Sequence, residues 1–295
     1  MSLALRRLFL LNPILEEATR AWRKFFRVAG GPGKGLSYTI VFIVALIYAW
    51  LLLEIVESKG GGSTITTILF LQLVLVTLIM PISVYGAISG ERERTTWEAL
   101  ILTRLTPGQI VVGKILWRLG GLLILMILFL LPLVIGMNYG NEQTYDMTNR
   151  ATWSGIWTAE AMTLAWGLGL CSYGLWVSAN TRRSVTSGAL IFISLLAVLA
   201  LLPILMSMIG GEGWNQGDFA GNYASWILMH INAFYALGKV TTWYDSSSGG
   251  QGPDPLFGRE WGVLQIGIYL AGAAIFLYAS YRTLKLWEEH KNRLG

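Results

Sequence analysis

Six long apolar stretches leave this chain few choices of fold: Tyr38 to Val56, Thr64 to Ile88, Leu119 to Gly136, Trp153 to Ala179, Ser187 to Ile209 and Trp261 to Tyr281. Each is long enough to cross the hydrocarbon core of a bilayer as a helix, which takes about 20 residues. Four carry no charge; the exceptions are Glu54, near the end of the first, and Glu160, in the second or third turn of the fourth. Backbone N–H and C=O groups find no water inside lipid, so a spanning segment must satisfy them internally, and the stretches lack the strict alternation of a barrel strand. Only 13% of the residues are charged, against roughly a quarter in a soluble domain. The expected fold is an all-α integral membrane protein with six transmembrane helices.

Orientation follows from the basic residues. With a cytoplasmic amino terminus, all but Lys59, Arg150, Lys239 and Arg259 of the 22 Lys and Arg fall in inner segments. That is the positive-inside pattern, and it puts both termini in the cytoplasm. The net charge of +5 then reads as topology and attraction to anionic lipid, with no need of a nucleic-acid partner.

The first 37 residues read as a cytoplasmic interface helix and turn. Ile14, Leu15, Ala18, Ala21, Trp22, Phe25 and Phe26 recur at helical spacing opposite Arg20, Arg23, Lys24 and Arg27, and Ala29 to Gly35 supplies the turn. The apolar run after Arg7 is broken by Asn12 and Pro13 with no cleavage site beyond, so no cleavable signal peptide is expected. Cys171 stands alone, which excludes an internal disulfide and suggests a packing residue. Residues 38–295 form the expected membrane domain.

Between the second and third stretches lies the densest charge in the chain, ISGERERTTWEALILTRLTPGQIVVGK from Ile88 to Lys114. Its acidic and basic residues alternate, and Arg94, Trp97, Glu98, Ile101 and Leu105 share one broad helical face. A solvated loop helix has the same composition, since exposed ion pairs contribute only about 0.2–1 kcal/mol each. Gly108 to Lys114 satisfies part of a phosphate-loop pattern, but Ile115 stands where Ser or Thr would bind magnesium and no strand precedes it. Gly113 and Lys114 are read instead as the cytoplasmic end of the third span, from which Lys114 snorkels to the interface.

Gly90, Glu91, Arg92, Glu93, Arg94, Thr96, Glu98, Leu100, Pro107, Gly113 and Lys114 together resemble the signature of ATP-binding-cassette (ABC) type-2 transporter permeases. Thr95 departs from the usual Gly, and Arg104 from the Pro that usually follows Thr103. Asn12-Pro13-Ile14 and the run Asn232 to Leu237, with Ala233 in place of Pro, are similar to two weaker family motifs. The resemblance implies that residues 89–114 hold a cytoplasmic coupling helix between spans 2 and 3. Glu91, Arg92, Glu93, Arg94, Thr96 and Glu98 would meet a cytoplasmic ABC ATPase subunit, and Trp97 and Ile101 extend the same surface. The implied assembly contains a second permease copy, identical or paralogous, in a prokaryotic cell membrane. ATP and magnesium are expected on the ATPase subunit, with no cofactor, metal or catalytic residue in this chain.

The outer loop 210–260 contains a nearly apolar run, Tyr223 to Val240. A full span there would push Arg282, Lys285, Lys291 and Arg293 outside, so a re-entrant or interfacial outer helix is expected between spans 5 and 6. His230 has no partner at metal-ligand spacing. Glu160 is a candidate for the transport path or for holding a proton; the alternative is a hydrated position near the outer surface. Ala161, Ala165 and Gly169 form a small-residue stripe suited to helix packing, and Pro81, Pro132 and Pro203 are expected to bend their spans. Glu160, Cys171 and His230 fit no known catalytic spacing, which argues against an intramembrane enzyme. The expected function is ATP-coupled export of an unidentified substrate; the alternative is a permease-like protein that uses the ATPase cycle for signalling or envelope remodelling.

Overall fold

The computed structural model describes residues 34–57, 62–94, 106–143, 153–201, 203–204, 231–238 and 260–294. The amino-terminal interface segment, Thr96, Trp97, Glu98, Ile101, His230 and most of the outer loop lie outside the described residues. Among the described residues the main helices are, in order, α1 Lys34–Glu57, α2 Gly62–Val84, α3 Ser89–Glu93, α4 Pro107–Gln143, α5 Trp153–Asn180, α6 Ser184–Leu196 and α7 Glu260–Leu294. A short helical piece at 233–238 lies between α6 and α7. There is no strand among the described residues. Among the described residues, four stretches are long and apolar enough to cross a membrane: Thr64–Glu93, Pro107–Asn138, Ser184–Leu201 and Gly262–Trp287.

Helix directions can be read from the contacts. Gln72 meets Glu160, Thr77 meets Trp166, and Ile88 meets Ser178, at a sequence offset that stays between 88 and 90 residues. α2 and α5 are therefore parallel and in register. α7 also runs parallel to α5, with Thr158 beside Gly262 and Gly169 beside the Tyr269 carbonyl. Trp166 lies 5.2 Å from the Tyr269 ring, and Tyr173 lies 5.2 Å from that of Phe276. α4 opposes α2, because Ile65 meets Gly136 at one end while Arg118 bonds the Ser83 carbonyl at the other. α1 runs with α4: the Tyr48 hydroxyl donates to the Leu128 carbonyl at 2.6 Å and Ile55 packs on Gly136. α6 opposes α5, with Tyr173 donating to Ser194 at 2.7 Å and Gly174 facing Ile191. Thus α1, α4 and α6 point one way and α2, α5 and α7 the other.

Two apolar clusters fill the bundle. One joins Ile55, Ile65, Leu73, Leu133, Ile156 and Met162. The other joins Val76, Val84, Ile115, Leu122, Leu175 and Leu284. The outer faces are apolar too, with Ile127, Ile193, Val263 and Ile275 each more than 60% exposed. Apolar surface of this extent suits contact with lipid, since soluble chains rarely leave it in water.

α5 packs most extensively, against α7, α2, α4 and α6. Its small residues explain the fit. A Cβ added at Gly167 would stand 2.7 Å from Leu122 Cδ2 and 3.1 Å from Val76 Cγ1, so α2, α4 and α5 converge where only glycine fits. Gly167→Ala is expected to cost about 1–2 kcal/mol by overpacking. The unfolding midpoint of the detergent-solubilised protein, followed by tryptophan fluorescence, checks this; an unchanged midpoint would show that the neighbours yield. Cys171 is buried with its Sγ 3.5 Å from Met80 Sδ, as a packing residue would be.

Some boundaries differ from the sequence reading. α4 begins at Pro107, well before Leu119. Lys114 and Arg118, which looked like charges outside the membrane segment, lie within this helix because partners at the bundle end take up their charge. The fifth stretch does not continue as a plain α-helix: α6 passes into a π-helical turn, Ala197–Leu201, ahead of Pro203. Pro81 and Pro132 lie inside α2 and α4.

Candidate functional site

The charged segment emerges at the end of the bundle where α2, α5 and α7 finish and α4 and α6 begin. After α2 the chain makes a hydrogen-bonded turn, with the Ala87 amide donating to the Val84 carbonyl, and enters α3. A helix leaves its first amides without intrahelical partners, and Ile88, at the N-cap, supplies no side-chain acceptor. Ser178 on α5 fills that role. Its Oγ accepts the Ile88 and Ser89 amides at 3.0 and 3.1 Å and lies 3.1 Å from Ser89 Oγ. Both serines are fully buried.

Three charged side chains fasten the rest of α3. Lys114 Nζ donates to Glu91 Oε1 at 2.6 Å and to the Ala87 carbonyl at 2.5 Å. The Lys114 side chain is 9% exposed and that of Glu91 30%. This corrects the snorkelling expectation: the ammonium turns into its own subunit, because a carboxylate and a carbonyl converge there. Arg92 donates to the Thr181 carbonyl at 3.3 Å and sets its guanidinium 3.8 Å from the centroid of the Trp287 ring on α7. Such stacking contributes about 0.5–2 kcal/mol depending on desolvation.

Glu93 reaches α6. The Ser184 amide donates to Glu93 Oε2 at 3.1 Å and the Ser184 hydroxyl donates to the same oxygen. Arg183, the N-cap of α6, makes no side-chain capping bond, so the capping carboxylate comes from α3. An anion at a helix amino end is favoured by the macrodipole. α3 is thus capped by α5 and in turn caps α6. Arg118 adds a further link, donating from Nε to the Ser83 carbonyl at 2.9 Å and from its terminal nitrogen to the Lys114 carbonyl.

Part of α3 stays at the surface. Glu93 and Arg94 are exposed, Gly90, Glu91 and Arg92 are half-buried, and Arg182, Arg183, Arg282 and Lys285 are exposed on the same end. Of the residues the sequence reading singled out, Glu91, Arg92 and Glu93 lie in α3 and Arg94 directly follows it. Thr96, Trp97, Glu98 and Ile101 fall outside the described residues. The sequence reading missed Ser178, Thr181, Ser184 and Trp287; of these only Trp287, an aromatic among charges near the chain end, carried a signal.

Glu160 lies far from this end. It is 5% exposed, and Gln72 Nε2 donates to its Oε2 at 2.8 Å. A hydrated outer position does not describe it; α2 and α5 enclose the carboxylate. Nearby, the Trp166 Nε1 donates to Thr77 Oγ1 at 3.0 Å. Gln72, a lone amide in an apolar run, was the legible sign of this contact. Asn232 caps the 233–238 piece through its Oδ1, which accepts the Phe234 amide at 3.0 Å, and its Nδ2 donates to the Leu199 carbonyl of the π-helical turn at 3.4 Å. Among the described residues no group of three or more His, Cys, Asp or Glu could hold a metal ion.

No curated protein matches this chain. The family model described as ABC-2 family transporter protein matches residues 57–282, most of the chain and the whole run from α2 to Arg282 in α7. The match takes in the charged helix and the long apolar helices on either side of it, and the chain belongs to the ABC-2 transporter family.

Proposed function

We propose that this chain is the permease subunit of an ABC exporter, driven by a separate cytoplasmic ATPase and working as a pair of permease copies in a prokaryotic cell membrane. The observation that carries the reading is α3: a charged helix fastened by its own subunit to α2, α4, α5, α6 and α7, with Glu93 and Arg94 left exposed at the basic end. A partner pressing on that helix moves several helices at once.

In this reading the chain crosses the bilayer six times, through α1, α2, α4, α5, α6 with its π-helical turn, and α7. The alternation of helix directions supports that count, and the basic residues gathered beside α3 support a cytoplasmic placing of that end and of both termini. ATP and magnesium bind the partner, and the chain itself catalyses nothing. Two ATPase subunits closing on nucleotide press on two α3 segments, and the spans change arrangement because nucleotide favours one arrangement over the other. The docking surface runs from Glu91 to Arg94 and on through Thr96, Trp97, Glu98 and Ile101.

Glu98→Lys tests this contact without touching the internal pairs of Glu91 and Glu93. It is expected to leave the permease folded and to abolish co-purification of the ATPase subunit; undiminished capture would count against the surface. For topology, a cysteine at Ser247 is expected to react with an impermeant thiol reagent from outside, and one at His290 only after permeabilisation. The reverse pattern would overturn the orientation. Cargo movement is read in vesicles holding the reconstituted complex, where ATP turnover without transport would favour signalling or remodelling.

A further inference from the structure

α2, with the turn that leads from it into α3, is fastened to α5 at three levels. At the outer level Gln72, fully buried, donates to Glu160; at mid-depth Trp166 donates to Thr77; at the inner level Ser178 accepts the two amides that begin α3. Between these levels the helices touch closely, with a Cβ added at Gly174 standing 3.3 Å from Val84 Cβ. The contact of α2 with α4 is distributed differently. Its polar part is gathered at the inner end, where Arg118 holds the Ser83 carbonyl and, just beyond α2, Lys114 holds the Ala87 carbonyl of the turn and Glu91 of α3. Toward the outer end, α2 meets α4 through Ile65 against Gly136, an apolar contact on a surface without a side chain.

These contacts respond differently to load. An interhelical hydrogen bond in a membrane fixes register, because sliding by one residue breaks it and leaves buried polar atoms without partners. An apolar side chain on a glycine surface keeps most of its contact as it slides. We propose that Trp166 and Glu160 are positioning residues that make α2 and α5 move as one body, and that Ser178 joins the start of α3 to that body, so that displacing α3 swings the pair against α4 about the Lys114–Glu91 contact. The role of Glu160 is then to hold α2 at the outer level, where the swing is largest. This rests on the exporter reading, which supplies the force on α3.

Two disulfides in a Cys171→Ala background test it. Val84→Cys with Gly174→Cys joins α2 to α5 at a separation close to the Cβ spacing of about 3.8 Å that a disulfide needs. Ile65→Cys with Gly136→Cys joins α2 to α4, where a Cβ at Gly136 stands 3.7 Å from Ile65 Cγ1. ATP turnover of the complex with its ATPase subunit in nanodiscs is measured reduced, oxidised and reduced again. The α2–α5 disulfide is expected to leave turnover unchanged, and the α2–α4 disulfide to suppress it reversibly. Trp166→Phe, which removes the α5–α2 bond to Thr77, is expected to uncouple turnover from the permease, and the α2–α5 disulfide to restore it, which a merely local packing defect would not allow. Loss of turnover on joining α2 to α5, or full turnover with α2 joined to α4, overturns the proposal. If Gly174→Cys does not fold, Gln72→Cys with Glu160→Cys bridged by a short thiol-reactive linker makes the same comparison. If the parent permease captures no ATPase, the exporter reading falls and this proposal with it; capture with the opposite disulfide pattern removes this proposal alone.

Discussion

Lys114→Met is expected to destabilise the protein by about 2–3 kcal/mol, somewhat below the 3–5 kcal/mol of breaking a fully buried pair. The discount follows from geometry, because the Glu91 side chain keeps 30% of its exposure and water partly compensates the lost cation. The same ammonium serves the Ala87 carbonyl, so the substitution also weakens the turn leading into α3. Thermal unfolding in detergent gives the size of the effect. The charge-swapped double variant, Glu91→Lys with Lys114→Glu, supplies the control: it restores the pair's attraction and is expected to recover much of the loss. If Lys114→Met unfolds like the parent protein, the pair is a surface contact in solution. The pair also complicates a simple reversal of Glu91: a lysine there would face Lys114, so failure to capture the ATPase would mix lost docking with a damaged permease. Glu98 is the cleaner position for that reason.

Ser178→Ala carries the second large effect. It takes the acceptor from two amides, those of Ile88 and Ser89, that lie in a fully buried setting. Each buried donor left without an acceptor costs about 1–3 kcal/mol, so a loss of roughly 2–4 kcal/mol is expected after local relaxation. Ser178→Thr keeps the hydroxyl and isolates its contribution from that of side-chain volume. Amide hydrogen exchange adds the local readout: faster exchange confined to residues 86–92 would follow from releasing the start of α3, whereas unaltered exchange there would mean the amides are satisfied in another way.

The membrane character and the site of the charged segment were legible because both depend on strong local signals, apolar length and dense alternating charge. The way the segment is held was not legible. Ser178 and Ser184 look like ordinary small polar residues near a helix end and a helix start, and only the packing of α2 against α5 and α6 makes them partners of α3. Lys114 misled for a related reason. A lysine near the start of an apolar run reads as an interface residue, and nothing local reports that Glu91, 23 residues earlier, folds back onto it. For Glu160, sequence gave a choice between a hydrated edge and the interior; burial decided for the interior, and Gln72 on a neighbouring helix is what makes the interior tolerable.

The heavily packed character of α5 has a consequence for how the protein is made. α5 is 28 residues long but rich in Gly, Ala, Ser and Trp and carries an acidic side chain, so it falls outside the four stretches apolar enough to be recognised as spans. An ionisable residue within a span adds to the cost of inserting it. The ribosome delivers α2 before α5 and α7 after it, so α5 enters the bilayer with one of its two parallel neighbours already in place and the other still to be synthesised. Its integration by the translocon is expected to be cooperative: truncating the nascent chain before α7, or replacing Gln72 by leucine, is the place to look for a fifth helix stranded outside the membrane.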